Sequence, residues 1–167
     1  HHTVLFGERY KGLLEDVFNK KILAEDFSLY LHHPSITDPS LAPSGCSSFY
    51  VLSPVPNLAS ESIKWSAELA EIYSQRILTY LDEKYLPGLK QNILFHENFT
   101  PLDFKNRQNA HLGSAFSLEP LLTQSAYFRG QNKDKKISGL YFAGAGTHPG
   151  AGVPGVVNSA KATCTLI

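Results

Sequence analysis

Residues 140–157 read LYFAGAGTHPGAGVPGVV, and few backbones can accommodate that string. Its first four residues are a short apolar run after the break at Ser138-Gly139, the pattern of a buried strand in a largely parallel sheet. Five glycines and two prolines follow at once. Neither Pro149 nor Pro154 has an N–H to donate, and each biases the residue before it away from the α region. A helix must therefore wait for Pro154, which fits the first helical position without loss, and residues 156–167 continue it. The expectation is a strand, a glycine-rich loop and a helix N-terminus.

A helix start presents unpaired N–H groups and a partial positive charge, and glycines let a ligand come close to the backbone. Such a place suits an anionic or electron-rich group. The spacing of Gly144, Gly146 and Gly150 imitates a dinucleotide-binding fingerprint. In a true fingerprint the later glycines lie on the first helical turn, and an acidic residue follows about 20 positions further on. Here the prolines delay the helix, and no Asp or Glu follows Gly144. The absence of Gly-Lys-Ser/Thr argues against a phosphate P-loop as well. On these residues alone, a glycine-rich turn without a ligand stays an alternative.

Upstream, residues 3–6 are β-branched and aromatic and read as a strand. Leu13, Leu14, Val17 and Phe18 recur at helical spacing in residues 10–19, with charges on the other face. Residues 27–32 (FSLYLH) and 47–52 (SSFYVL) are strand-like runs expected to pair antiparallel across a loop carrying Pro34, Pro39, Pro43 and Gly45. Ile63, Ala67, Ala70, Tyr73, Ile77, Tyr80 and Leu81 repeat every three or four positions. That pattern predicts a long helix over residues 60–86, capped by Ser60 and stopped by Pro87-Gly88. Residues 92–95 read as a strand, and Thr100, Pro101 and Asp103 have the chemistry of a helix start. Residues 113–129 are irregular, and the polar run GQNKDKK at 130–136 reads as a surface turn before the last strand.

Charge is balanced, 15 Lys+Arg against 15 Asp+Glu, so nucleic-acid binding has no electrostatic footprint. Cys46 and Cys164 form no C-x-x-C pair, the usage expected of a reduced cytoplasmic protein. No apolar run approaches the roughly 18 residues of a spanning helix, and no signal peptide is visible. Peripheral contact with a membrane stays open. His32, His33, His96, His111 and His148 make no ligand-spaced motif such as H-E-x-x-H, so no metal is expected. Ser114 and Ser117 lack a nucleophile-elbow context.

The run from Gly144 to Val156, followed by Ser159-Ala160-Lys161-Ala162-Thr163, resembles the C-terminal flavin-contacting signature of bacterial-type phytoene desaturases, LY-x-x-GAGTHPGAG-[IV]-PGV-x-x-SAKAT. The likeness extends along the chain through HHTVLFGERY at the start, LAEDFSLYLHHPS from Leu23, LAPSGCSSFYVLSPVPNL from Leu41, TPLDF from Thr100 and GSAFSLEPLLTQSAYFR from Gly113. It implies an α/β fold, the C-terminal part of a two-domain FAD-dependent oxidoreductase. Residues 1–103 would belong to a substrate-binding domain built on a mixed β-sheet. Residues 104–167 would supply the last strand and helix of a Rossmann-like FAD domain. Family members are much longer and begin with a nucleotide-binding strand-turn-helix that this sequence lacks, so the chain reads as a C-terminal third.

The resemblance also implies site roles, with the hard chemistry left to the flavin. Backbone N–H groups around Val153, Pro154, Gly155 and Val156 would face the electron-accepting edge of the ring, by the logic of an oxyanion hole. Gly144, Ala145 and Gly146 would run along the ribityl and pyrophosphate, with His148 in the same loop and Gly155 allowing close approach. Ala145 stands where the wider superfamily commonly has an acidic residue, so only its backbone role carries over. The implied substrate is a long polyene hydrocarbon, phytoene, converted stepwise to lycopene at a membrane surface and recognised through apolar area. Phe49, Tyr50, Leu52, Phe116, Tyr127 and Phe128 are candidates for a tunnel wall, or else for core. No catalytic residue is assigned. Glu119, His148 and Arg129 are the polar candidates for shaping proton loss, with loop bracing as the alternative for His148. Other readings are a diapophytoene or hydroxycarotenoid desaturase, a carotene isomerase, or a non-catalytic truncated module. The 167 residues alone are expected to be inactive and to bind FAD weakly or not at all.

Overall fold

Alternation decides the sheet of the computed structural model, which describes residues 1–119 and 121–167. β1 (His2–Leu5), β2 (Leu29–His32) and β3 (Tyr50–Leu52) form a three-stranded sheet in the order β1-β2-β3. Both pairings are antiparallel, with Leu5 opposite Leu29 and Leu31 opposite Val51. Because successive side chains point to opposite faces, Leu5, Leu29 and Leu31 share one buried face, while His2, Tyr30, His32 and Tyr50 lie on the other. The runs at 27–32 and 47–52 thus pair antiparallel, as their sequence predicts.

The chain divides into two compact units, His1–Leu102 and Asp103–Ile167. In the first, Leu5, Phe27 and Leu29 pack with Tyr73 and Leu81 of α2 (Ala67–Lys84). Ile77 and Tyr80 close over the same cluster. Each large apolar side chain buried there is worth about 1.5–3 kcal/mol. α2 starts at Ser66, whose hydroxyl accepts from the Leu69 N–H at 3.1 Å. The expected cap, Ser60, instead donates to the Lys21 carbonyl at 2.6 Å, as Ser62 does at 3.0 Å. Those bonds tie residues 60–62 to the turn after the first helix and postpone α2.

Residues 10–19, expected as one amphipathic helix, form α1 (Tyr10–Leu14) and then a π-helical stretch, Glu15–Lys20. Its wider i→i+5 turn buries Asp16 beside Val17 and leaves Phe18 exposed. Lys20 Nζ at 2.8 Å and Arg9 Nη2 at 2.7 Å hold Asp16. The hydrogen bond from Lys20, then the charges of Lys20 and Arg9, keep its carboxyl below the usual carboxylate range. Residues 92–95 do not form the expected strand. α3 (Leu89–Asn92) occupies their start, and Leu94 and Phe95 stand exposed.

The division between units falls inside α4 (Pro101–Gln108), which begins at Pro101 with Asp103 in its first turn, as its sequence predicts. The second unit continues through short 3₁₀ turns to α5 (Val153–Cys164). Residues 140–143 do not form a strand. Tyr141 makes one antiparallel bridge to Lys133, flanked by Phe142 N–H to Asn132 O at 2.8 Å and Asp134 N–H to Leu140 O at 3.0 Å. A buried parallel strand needs partners along both edges, and among the described residues one short segment pairs with the run. Among the described residues no helix is long and apolar enough to cross a membrane.

Candidate functional site

The glycine-rich loop rests on a small polar core. Asn132 is 5% exposed, and its Nδ2 lies within 3.1–3.3 Å of the carbonyls of Phe142, His148 and Ser159 and the hydroxyls of Ser159 and Thr163. Fully buried Ser159 accepts from the Gly144 N–H at 2.9 Å and meets the Thr147 hydroxyl at 2.5 Å. Thr163 donates to the Phe142 carbonyl at 2.7 Å. Loop and helix α5 are therefore joined by hydrogen bonds, since the glycines offer no apolar side chains to pack.

Arg129 braces the other side. Only 4% exposed, it donates from Nε to the Ala145 carbonyl at 2.7 Å and from Nη1 to the Gln124 carbonyl at 3.2 Å. His148 donates its N–H to the Gly130 carbonyl at 2.7 Å, and its Nδ1 meets the Ala126 carbonyl at 2.9 Å. Since a carbonyl only accepts, that contact sets Nδ1 as the protonated nitrogen. Glu119 is exposed, and among the described residues no side-chain hydrogen bond or ion pair joins it to the loop. Arg129 and His148 are thus brought to the loop, as braces, and Glu119 is not.

The loop ends at an open helix start. Gly152 caps α5 with φ 86°, no side chain closes this end, and Val153 is 80% exposed. Pro154 occupies the second helical position rather than the expected first, because the Val156 N–H already bonds the Gly152 carbonyl at 2.9 Å. That bond uses the Val156 donor, and Pro154 has none. Val153 and Gly155 remain as the two amides of this turn without an intrahelical acceptor. Gly144 has φ 127°, and a Cβ there or at Gly152 would meet nothing within 4 Å, so the backbone lies bare at both places. Gly155 differs: its Cβ would lie 2.6 Å from the Gly150 carbonyl oxygen, so the loop itself occupies that space. Bare backbone and an uncapped, solvent-open helix start fit an anionic or electron-rich planar group.

Beside this start an open cleft of about 430 Å³ is lined by Phe116, Leu118, Ala126, Arg129, Pro149 and Gly150. Of the tunnel candidates, Phe116 reaches this cleft, while Tyr127 and Phe128 stand exposed, edge to face at 5.7 Å. Phe49, Tyr50 and Leu52 belong to the first unit, where Phe49 stacks on His33 at 4.1 Å. Sequence reasoning missed Asn132, Ser159 and Thr163. Ser159 and Thr163 carried a usable signal, because two hydroxyls four apart share a helix face.

A family model described as flavin containing amine oxidoreductase matches residues 26–167. The chain is 57% identical over 167 residues to a phytoene desaturase (lycopene-forming) of Pseudescherichia vulneris, covering 100% of this chain and 34% of that protein. It is 56% identical to the phytoene desaturase (lycopene-forming) of Pantoea ananas, with the same coverage of 100% and 34%. A 4,4'-diapophytoene desaturase (4,4'-diaponeurosporene-forming) of Staphylococcus haemolyticus is 44% identical over 164 residues, 97% of this chain and 32% of that one. The chain thus spans about a third of the length of the curated relatives it matches.

Proposed function

This chain belongs to the flavin-containing amine oxidoreductase family, and on that premise we propose that it is the C-terminal part of an FAD-dependent phytoene desaturase forming lycopene. The observation that carries the reading is the 56–57% identity, along the whole chain, to relatives bearing that name. The lower identity of 44% to the diapophytoene enzyme makes diapophytoene the second choice of substrate.

In this reading residues 104–167 complete a Rossmann-like FAD domain and residues 1–103 belong to the substrate domain. The bound flavin supplies the two-electron acceptor. The chain's own residues position it. The Val153 and Gly155 amides would hold the electron-accepting edge of the ring, as preorganised donors that need no rearrangement. The bare backbone at Gly144 and the Ala145-Gly146 turn, held in shape by Arg129 and Ser159, would hold the cofactor's tail. His148 and Arg129 act as loop braces. The Arg129 guanidinium carries donors and no acceptor, so it does not take up the proton.

A hydrocarbon substrate partitions into lipid, which favours reaction at a membrane surface by peripheral contact on the cytoplasmic side. Incubating the full-length protein with FAD and phytoene-loaded liposomes tests the proposal. The expected outcome is the absorption of lycopene. Turnover of diapophytoene with no reaction of phytoene would overturn it.

A further inference from the structure

The register of β1 against β2 sets His2 directly opposite His32, on the sheet face turned away from Leu29 and Leu31. Directly opposed residues on one face have Cβ atoms about 4.5–5.5 Å apart. His1 joins them, because the His33 N–H donates to its carbonyl at 2.7 Å and extends the ladder by one step. The three rings form one cluster, with centroids 4.4 Å apart for His1 and His2, 4.8 Å for His1 and His32, and 4.7 Å for His2 and His32. One ring nitrogen from each lies within 4.8 Å of the other two. His1 Nε2 and His32 Nε2 approach to 2.9 Å.

We propose that His1, His2 and His32 form a binding site for a zinc-like divalent transition ion that clips β1 to β2. Zinc–nitrogen bonds of about 2.0–2.1 Å in a tetrahedron hold their nitrogens roughly 3.3 Å apart. Small ring rotations bring this cluster to that spacing. Imidazole nitrogens suit zinc, copper and nickel, whereas magnesium and calcium take oxygen ligands. Two of the rings also carry the outer partners that a ligating histidine uses to fix its tautomer. His2 Nδ1 lies 2.6 Å from the Tyr30 hydroxyl, and His1 Nδ1 pairs with the Thr37 hydroxyl. With Nδ1–H donated to those oxygens, each Nε2 keeps its lone pair for a metal. His1 and His2 are exposed and His32 half-buried, which leaves an entry path and room for a water as fourth ligand.

The site escapes a motif search because its ligands come from two strands rather than from one helix or loop. His33, next in sequence, is not part of it. Its ring stacks on Phe49 instead.

The test uses the full-length protein, stripped with EDTA, desalted, and titrated with Zn²⁺ against a chromophoric chelator. His2→Gln and His32→Gln keep a neutral polar side chain on the sheet face, and circular dichroism and flavin content check their folding. The expected result is one zinc equivalent lost with either variant, each weakening binding by more than about tenfold, while His33→Gln binds as the wild type does. Cu²⁺ electron paramagnetic resonance gives an independent readout, with nitrogen couplings that diminish in His32→Gln. Wild-type protein that takes up no zinc, or either ligand variant retaining wild-type affinity, would overturn the site.

Discussion

Asn132 offers two amide hydrogens to five acceptors, drawn from the bridge at Phe142, the loop at His148 and helix α5 at Ser159 and Thr163. Whichever pair it satisfies, among the described residues it is the one buried side chain that hydrogen-bonds to all three segments. Asn132→Ala removes those donors and takes the His148 carbonyl's partner away, while the Phe142 and Ser159 carbonyls keep the Thr163 hydroxyl. We expect a loss of about 1–3 kcal/mol, read from urea denaturation, together with lower flavin content in the full-length protein. An unchanged midpoint would show that water replaces the amide. In the sequence this residue sits in GQNKDKK, among charged neighbours that do face solvent. Composition averages over such a run, so the one inward side chain in it was not legible. The histidine cluster was hidden for a related reason. His2 and His32 meet only through strand register, and register depends on two segments at once.

At the scale of elements, what could be read was periodicity, and what could not was competition between partners. β2 lies within the strand-like run FSLYLH, and the buried face of α2 shows in the spacing of Ala70, Tyr73 and Leu81. The start of α2 was misplaced because Ser60 and Ser66 are equally good caps in isolation, and only the Lys21 carbonyl decides between them. The apolar run at 140–143 was read as a strand from its own residues, although a strand exists only with a partner. The loop and α5 were legible in outline, since Pro149 and Pro154 leave few choices. Gly155 turns that outline into a test. A methyl group added there would press on the Gly150 carbonyl at 2.6 Å, in backbone that has no flexible end to yield. Gly155→Ala should cost about 1–3 kcal/mol, as overpacking does, and should lower flavin content. Gly45→Ala is the control. That glycine has positive φ, 76°, which helical Gly155 does not, but a Cβ there meets nothing within 4 Å, so flavin content should stay at the wild-type level.

For the molecule as a whole, the decisive quantity is how much of a flavin this third of the relatives' length can hold. In dinucleotide folds the adenosine half is held by a glycine-rich turn after the first strand of the nucleotide-binding domain, a feature absent from these 167 residues. On the proposed reading they would contribute two amides without an intrahelical acceptor at the start of α5 and a bare loop backbone. Hydrogen bonds to a charged group bring about 1.5–3 kcal/mol each, so two bring roughly 3–6 kcal/mol. Association costs an estimated 4–15 kcal/mol in lost motion. The remainder falls short of the roughly 4 kcal/mol that even millimolar binding requires. The isolated 167 residues should therefore retain no flavin after gel filtration, while the full-length protein carries it in stoichiometric amount. Absorbance near the flavin bands in the two preparations makes the comparison. Yellow, saturated protein from the short chain would mean that these residues hold the cofactor by contacts other than the helix start, and the roles given to Val153 and Gly155 would then have to be withdrawn.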